Sequence, residues 1–533
     1  MILRIFRRVK LWVLVAILFL SSLYLYLFPA PNLTYVSVVL LHVGLGVIAA
    51  GFLVPKLLAI AREKSLYRDL GWLVFAAAAI LGLVLIFIGT IRSHWNWMYA
   101  HVVLSFVAVA LLLVKWMGIK GWQPRSRGLS LAITALCLVI AVGAAYGGWN
   151  LRQAMWARAY KFANPASPPS SMNEEGDGPS GPFFPSSAQT AHKGHIPGSY
   201  FMESDACERC HQDIYHQWFG SVHHFSSFNN QWYRKSIEYM QDVIGVKPSK
   251  WCAGCHDPAL LYSGMFDTPI KQIVDQPEAR AGLGCMMCHS IERVKSTMGQ
   301  GDFLLEYPAL HQMAASKNPV VRWIHDYVTN LNPEPHRRVF LKPFMRADTA
   351  EFCSTCHKVH LDVPVNHYRW IRGFNEYDNW QASGVSGYGA RSFYYPPKAQ
   401  QCADCHMPLV RSADAGADAN QGFIHSHAFP GANTAVPVAN EDEAQLELTK
   451  KFLQNSVTVD IFGIAPAPTK TAQGEAQLPS SELSTTFAVG EEAEGNAPKT
   501  EGEALAISAP LDRISPVVRR GDTVLIEVVV RTR

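Results

Sequence analysis

Cysteine pairs followed directly by a histidine recur along the second half of the chain. Five such Cys-x-x-Cys-His segments are present, and they comprise Cys207, Cys210 and His211; Cys252, Cys255 and His256; Cys285, Cys288 and His289; Cys353, Cys356 and His357; and Cys402, Cys405 and His406. Two thiols one helical turn apart can add across the vinyl groups of a haem, while the adjacent histidine ligates the iron from one side. The motifs therefore predict five covalent haem c groups.

Zinc is the alternative cofactor for closely spaced cysteines. Zinc sites need paired Cys-x-x-Cys units or a later His-x₃₋₅-His, and neither explains a histidine after every second cysteine. Ten of the 11 cysteines belong to the motifs, and the remaining Cys137 lies in an apolar run, where we predict a buried thiol. We therefore predict haem without disulfides. Because c-type haem is attached outside the cytoplasmic membrane, residues from about 199 onward must be exported.

Five apolar runs precede the motifs, at about residues 11–28, 36–60, 70–91, 98–117 and 129–149. Each is close to or above the roughly 20 residues that a membrane-spanning helix needs. The basic N-terminus also suits a signal peptide, but the later apolar runs and the lack of a clear small-x-small cleavage site favour an uncleaved anchor. The sequence predicts a five-helix transmembrane bundle over residues 1–150.

Loop charges predict the orientation of this bundle, because basic residues collect on the cytoplasmic side. Two of its turns are flanked by basic residues, namely Lys56, Arg62, Lys64 and Arg68 in one and Lys115, Lys120, Arg125 and Arg127 in the other. The other two turns hold only Arg92. An N-terminus in the cytoplasm and five spans put the motifs outside, so we expect a bacterial inner-membrane protein with a periplasmic or extracellular haem domain.

Three histidines lie in or beside the apolar runs: His42, His94 and His101. Ionisable residues at membrane depth are functional candidates. At 1.5 Å rise per residue, His42 and His101 differ in depth by only about 5 Å, so they are placed to ligate one b-type haem from opposite sides. Gly44 and Gly46 would let a porphyrin approach the backbone. The alternatives are a quinone pocket or interfacial hydrogen bonding.

The rest of the chain divides by composition. Residues 151–198 are rich in Pro, Ser and Gly and are predicted to be a linker. Residues 199–431 form the predicted pentahaem domain, with short helices, long irregular connections and almost no sheet, because the porphyrins supply much of the apolar surface. Such a chain is mainly α overall.

Each haem iron needs a sixth ligand or an open position. Five of the 20 histidines are in the motifs and three in the bundle, which leaves 12 for five irons. This surplus favours bis-histidine coordination, which suits electron transfer, whereas an open position suits catalysis. The better candidates by neighbourhood are His223, His336, His360 and His427; weaker ones are His216, His311, His325, His367 and His425.

Flanking residues point to a family. Tyr215, Trp218 and His223 after the first motif, and Met407-Pro408 after the last, resemble multihaem cytochromes c of the superfamily that contains hydroxylamine oxidoreductase, pentahaem nitrite reductase and the tetrahaem cytochromes of nitrifiers. The resemblance covers roughly residues 200–430. It implies closely stacked haems that conduct electrons, with sixth ligands from distant sequence. The Cys-x-x-Cys-Lys site of the nitrite reductases is absent from this sequence, which argues against reductase chemistry. The apolar runs more loosely resemble membrane cytochromes b.

The C-terminal region, residues 440–533, has a different pattern. Residues 440–453 are predicted to be helical, and Ser456–Ile461 alternate as a strand does. Residues 465–505 are acidic and rich in Ala, Pro and Gly, as flexible segments are. Residues 516–518 and 524–530, joined by a turn at 519–522, predict a β-hairpin. A single hairpin is marginally stable, so we expect either a small β-sandwich or a further portion downstream.

These features favour an electron carrier. We expect transfer between membrane quinone or quinol and a periplasmic or extracellular redox protein, through the five c-type haems. The alternatives are a haem reductase or oxidase of a small nitrogen or sulfur compound at an open iron, and a relay and docking subunit of a larger respiratory or photosynthetic complex. The net charge of +4 and the lack of a phosphate loop, catalytic triad or Rossmann fingerprint give no support to nucleic-acid binding or to those enzyme classes.

Overall fold

The computed structural model describes residues 11–29, 32–63, 69–119, 127–389, 398–417, 422–431, 434–466 and 507–532. Contacts divide the chain into two units. The first contains Met1–Pro430 with Ala435–Gln445, and the second contains Gly431–Thr434 with Leu446–Arg533.

The N-terminal bundle contains the helices α1 (Leu11–Leu27), α2 (Leu33–Glu63), α3 (Leu70–Ile88), α4 (Trp95–Ile119) and α5 (Arg127–Ala159). A helix thus covers each predicted apolar run. Among the described residues, three segments, Leu33–Arg62, Leu70–Ile88 and Arg92–Lys115, are long and apolar enough to cross a membrane. These segments are compatible with a membrane anchor, whereas five spans and their orientation remain predictions.

Two apolar clusters stabilise the bundle. The larger one is buried between α1, α2, α3 and α4 and consists of Leu14, Val15, Ala49, Leu53, Ile60, Trp72, Phe75, Ala108 and Leu112. The smaller one joins Tyr35 and Val39 of α2 to Leu331, which lies far along the chain. The end of the bundle near Tyr35 therefore contacts the part of the chain that carries the motifs. The side chain of Cys137 lies outside the described part.

The motif region, residues 160–430, consists of helices of 4 to 14 residues. They are α6 (Asp205–Glu208), α7 (Gln212–Phe219), α8 (Gln231–Ile244), α9 (Val246–His256), α10 (Pro258–Leu261), α11 (Ile270–Ile273), α12 (Cys285–His289), α13 (Ala309–Ala314), α14 (Pro319–Leu331), α15 (Glu334–Phe340), α16 (Thr349–Ser354), α17 (Val363–Asn366), α18 (Glu376–Ala382) and α19 (Cys402–His406). After this region come α20 (Ala435–Ala439) and α21 (Glu443–Leu453). The mainly α prediction is confirmed.

The described part of the motif region also contains three small sheets. Strands β1 (Gln189–Thr190), β2 (Ile291–Val294) and β3 (Phe303–Leu305) form one sheet in the order β1-β3-β2. Strands β4 (Lys358–Leu361) and β5 (Ile371–Asn375) form an antiparallel pair, and so do β6 (Leu409–Arg411) and β7 (Phe423–His425). In each sheet one strand begins within three residues of a motif histidine: β2 after His289, β4 after His357 and β6 after His406.

The structure differs from the prediction of a linker at 151–198. Helix α5 continues to Ala159, and the following residues fold into the motif region, where Met172, Phe183 and Ile196 are buried. Phe183 packs edge-on against Tyr262 at 5.0 Å between ring centroids. Single apolar residues among Pro, Ser and Gly have no periodicity, so the composition concealed these anchors. The motif region also has a protein core of its own, of which Phe183 is part.

The second unit contains a two-stranded antiparallel sheet of β8 (Val457–Pro466) and β9 (Val524–Thr532). The prediction of a local hairpin with residues 516–518 is wrong, because β9 pairs with the distant β8 instead. The turn itself is present, with the Asp522 amide donating to the Arg519 carbonyl at 3.0 Å. The predicted flexible segment at 465–505 lies almost wholly outside the described residues.

Candidate haem sites

Short helical turns hold the motif cysteines. In α9, α12 and α19 the motif forms the last turn of a helix or the whole helix, and residues three apart share one face. The amides of His211 and His357 each donate to the carbonyl of the first cysteine of their motif, both at 2.9 Å. This geometry places two thiols on one side with the histidine next to them. The ten motif cysteines are free of disulfides.

The motif histidines are oriented through Nδ1. Four of them donate this proton to an oxygen: His211 to Asp414 Oδ1 at 2.8 Å, His256 to the Ser226 carbonyl at 2.8 Å, His289 to the Phe340 carbonyl at 2.6 Å, and His406 to the Pro430 carbonyl at 2.8 Å. Carbonyl and carboxylate oxygens only accept, so the proton is on Nδ1 and Nε2 keeps its lone pair. This is the tautomer that an iron ligand requires.

Three motif histidines face a second imidazole at similar separations. The ring centroids lie 6.1 Å apart for His211 and His336, 6.4 Å for His289 and His427, and 6.3 Å for His357 and His223. An iron between two imidazoles separates their centres by roughly 6 Å, since each metal–nitrogen bond is about 2 Å long and each nitrogen lies about 1 Å from its ring centre. Each pair therefore has room for one iron.

The three facing histidines are half-buried. Burial, reinforced by neighbouring histidines, lowers the pKa of His223 and of His336 to about 3 and that of His427 to about 4. These imidazoles are neutral at physiological pH, as metal ligands must be. The Nδ1 atoms of His223 and His336 are buried without a hydrogen-bond partner among the described residues. Since buried polar atoms normally have partners, the pockets suit a group that the protein chain alone does not supply.

His360, also a predicted ligand, has a different environment. Its Nε2 lies 2.7 Å from Glu175 Oε1, and both side chains are buried. A ring nitrogen engaged with a carboxylate is not directed at an iron, so the structure favours a structural role that ties strand β4 to residues 160–198. Among the weaker candidates, His311 and His325 likewise contact acidic side chains, those of Glu203 and Asp326.

His256, in the second motif, has a distinct neighbour. Its ring stacks on Tyr233 at 4.5 Å with an interplanar angle of 12°. This separation is too short for an iron between the rings, so Tyr233 packs against the side of the imidazole. The Tyr233 hydroxyl donates to Asp257, and burial raises the pKa of that carboxyl to about 7. In the part of the chain that the structure describes, no histidine ring stacks on or faces His256.

Thiols of different motifs lie next to one another. The contacting pairs are Cys207 with Cys285, Cys255 with Cys356, and Cys353 with Cys402. Cys288 is also an electrostatic neighbour of the two thiols of the fourth motif. Because each thiol would be bonded to the edge of its own haem, adjacent thiols bring haem edges together. The motifs therefore connect in the order one, three, four and five, with motif two beside motif four.

Helix α14 and the residues after it dock the motif region onto the bundle. The Thr90 amide donates to the Asn330 carbonyl at 3.0 Å, and the Thr90 hydroxyl donates to the Leu331 carbonyl at 2.6 Å. The Asn332 side chain donates to the Tyr35 hydroxyl. The loop between α3 and α4 is thereby fixed to residues that immediately precede α15.

Helix α15 links this contact to two haem sites. It carries His336, which faces His211, and its Phe340 carbonyl orients His289. Arg338 of the same helix lies 4.8 Å from the ring of Trp156 in α5. The sites of motifs one and three are thus positioned by a helix that contacts α5 and directly follows the residues that contact the loop between α3 and α4.

Some of these groups had no sequence signal. Asp414 orients His211 from 203 residues away, and the carbonyls of Phe340 and Pro430 act through the backbone, where residue type carries no information. A carboxylate close to a motif in space is indistinguishable in sequence from a solvated one. The facing histidines were detectable because histidine is the residue type that an iron requires.

A family model described as cytochrome c554 and c-prime matches residues 206–290, which contain the first three motifs. The match supports a multihaem cytochrome c with covalently attached haem c and a role in haem-based electron transfer. No curated protein and no solved structure matches the chain.

Proposed function

We propose that the protein transfers electrons between the membrane quinone pool and a periplasmic or extracellular redox partner through five covalent haem c groups. His211 with His336, His289 with His427, and His357 with His223 would each hold one of these haems between them. Bound haem supplies reversible one-electron chemistry at iron. The chain crosses the bacterial inner membrane five times, with its N-terminus in the cytoplasm.

The observation that carries this proposal is the set of thiol contacts between motifs. Every motif has a thiol that lies beside a thiol of another motif. A protein that moves electrons needs short steps between neighbouring haem edges. The Nδ1 hydrogen bonds of the motif histidines serve the same purpose, because they fix the rings and tune the electron density on the ligand.

The contact with the bundle indicates where electrons enter or leave at the membrane. Motifs one and three lie beside α15, which is held against α5 by Arg338 and Trp156. Motif five lies at the other end of the series of thiol contacts. We therefore place the quinone-side terminus at motifs one and three, and the partner-side terminus at motif five.

Reduction by quinol tests the proposal. Purified protein in liposomes should show reduction of its haem c by a quinol analogue, with two electrons and two protons released per quinol. A soluble form that starts at residue 160 should not be reduced by membrane-bound quinol. Intact protein whose haem c stays oxidised under quinol, alone and with its partner subunits, while dithionite reduces it, would contradict the quinone link.

A second candidate is oxidation or reduction of a small nitrogen or sulfur compound at the second motif. It is favoured by His256, whose ring is stacked on Tyr233 rather than facing a histidine. An open iron gives a high-spin ferric signal that shifts when nitrite, hydroxylamine or cyanide is added. A spectrum that is low-spin throughout and unaffected by these compounds would exclude this candidate.

A further inference from the structure

His42 and His101 lie at one level of the N-terminal bundle. His42 is nine residues beyond the start of α2 at Leu33, and His101 is six residues beyond the start of α4 at Trp95. At 1.5 Å per residue these depths differ by about 5 Å. The two side chains are close enough to interact electrostatically. Two histidines on different helices thus face one region inside an otherwise apolar bundle.

Hydrogen bonds fix the proton of both rings on Nδ1. The Ser21 hydroxyl donates to the Leu18 carbonyl at 2.9 Å, so at 2.8 Å from His42 Nδ1 it must accept the ring proton. His101 Nδ1 lies 2.8 Å from the Ala78 carbonyl, which can only accept. Each Nε2 therefore has a lone pair and no proton. This is the tautomer found at the motif histidines, whose Nδ1 atoms donate to carbonyl and carboxylate oxygens.

Between Val39 and Ala49 of α2, which are buried, the residues on both sides of His42 are partly buried or exposed. A Cβ added at Gly44 or Gly46 would meet no atom within 4 Å. Gly44 is exposed and Gly46 is half-buried, so α2 offers bare backbone beside the His42 ring, against which a flat group can lie.

Glycine also allows close contact on the third helix. A Cβ at Gly82 of α3 would lie 2.9 Å from Cε1 of His101. Any larger residue would push the imidazole away from its bond to Ala78. Because Gly82 has no side chain, the backbone of α3 lies close to the His101 ring on its Cε1 side.

We propose that His42 and His101 are the axial ligands of one b-type haem held without covalent bonds in the N-terminal bundle. Ser21 and the Ala78 carbonyl are the groups that orient the ligands, and Gly82 is the residue that makes room for them. This inference rests on the proposed function, because a membrane haem would join the quinone to the c-type haems beside α15. The two histidines would recognise an iron with two open coordination positions. The apolar helices would contact its flat macrocycle.

A quinone fits these atoms less well. A quinone carbonyl needs a hydrogen-bond donor, and both ring protons are already donated, to Ser21 and to Ala78. Two unprotonated Nε2 atoms are instead a complete ligand set for a metal.

Pyridine haemochrome spectra of the purified intact protein, before and after acid–acetone extraction, test the proposal. We expect one extractable haem b for every five covalent haem c. His42→Ala and His101→Ala should each lose the extractable haem and keep all haem c, which reports that the chain is exported and folded. His94→Ala is the matched control, because it removes another bundle histidine and should keep the full haem b.

The outcomes separate this proposal from the proposed function. Wild-type protein with no extractable haem, or histidine variants with unchanged haem b, would overturn the axial pair. If quinol still reduced the haem c of that protein, the proposed function would stand without the membrane haem. If a histidine variant also lost haem c, the Gly82→Leu variant would provide the test. Its larger side chain should displace His101 and release haem b. Retention of haem b in Gly82→Leu would overturn the proposal.

Discussion

Single histidines determine what each haem site can do. Four of the five motif histidines donate an Nδ1 proton to an oxygen, and three motif histidines face a second imidazole at 6.1 to 6.4 Å. Ring orientation is therefore set by groups of the protein before any haem is bound. The consequence is that substitution of a facing histidine should alter one iron and leave the rest.

The His336→Ala variant tests the assignment of a single sixth ligand. Removal of this imidazole opens the sixth position of the iron held by His211, so one of the five haems should change from low-spin to high-spin while the haem content stays the same. The matched control is His360→Ala, which removes a buried histidine that contacts Glu175. The control should leave every spin state unchanged and lower the free energy of unfolding by about 1–3 kcal/mol, because a buried carboxylate loses its partner. Electron paramagnetic resonance spectra report the spin states. Haems that all stay low-spin in His336→Ala, or a new high-spin haem in His360→Ala, would contradict these assignments.

The sequence predicted which residues are of a type that binds haem better than it predicted which side chains contact one another. The motifs were evident, and His223, His336 and His427 were selected as sixth-ligand candidates from their neighbourhoods. His360 was grouped with them, although its Nε2 contacts Glu175 in a segment predicted to be a linker. No local pattern reports a contact across 185 residues, so a buried ion pair and an iron ligand look alike in sequence.

Among the elements, α15 and the loop between α3 and α4 connect the N-terminal bundle to the motif region. Gly89, which ends α3, has φ 72° and ψ −178°, a conformation open essentially only to glycine. A Cβ there would lie 2.3 Å from the Asn330 carbonyl oxygen. The loop therefore touches the residues before α15 only because this side chain is missing.

Gly89→Ala should separate the loop from Asn330 and slow electron transfer from quinol to haem c severalfold, with haem content unchanged. Gly245→Ala is the matched control, since Gly245 has φ 87° and ψ 177° but no atom within 4 Å of an added Cβ. Both variants carry the same backbone strain, and only the first has the clash. Equal rates of haem reduction in the two variants, measured by stopped flow in liposomes, would contradict a role for this contact.

Element prediction from the sequence was accurate where periodicity was strong. A helix covers each predicted apolar run. The segment Ser456–Ile461, in which apolar and polar residues alternate, overlaps β8. Strand β9 was found, but its partner was not, because β-pairing is decided by contacts over more than 50 residues. Residues 160–198 were misjudged because irregular segments bury isolated residues such as Phe183 without any repeat.

On the scale of the whole molecule, the motifs differ in how deeply they are built into the core. Met286 and Met287, between the cysteines of the third motif, are each 2% exposed and belong to the apolar core of the motif region. In the fifth motif, Cys405 is exposed. The third site is therefore part of the interior, whereas the fifth lies near the surface.

Paired substitutions at these two sites should have unequal effects. Cys402→Ala with Cys405→Ala should give a stable protein with one haem fewer. Cys285→Ala with Cys288→Ala should reduce the yield of folded protein strongly, since loss of a haem from the interior leaves a large cavity. Haem-stained gels and thermal unfolding of the two variants provide the measurement, and equal yields and stabilities would show that the core does not depend on the third haem.

The intact mass of the purified protein under denaturing conditions tests the central claim most directly. Covalent haems remain attached in this measurement, whereas haem b, quinone and metal ions are lost. We predict the mass of the 59.1 kDa chain plus that of five haems in a single species. A bare chain, or a species with any of the five motifs consistently unmodified, would contradict it.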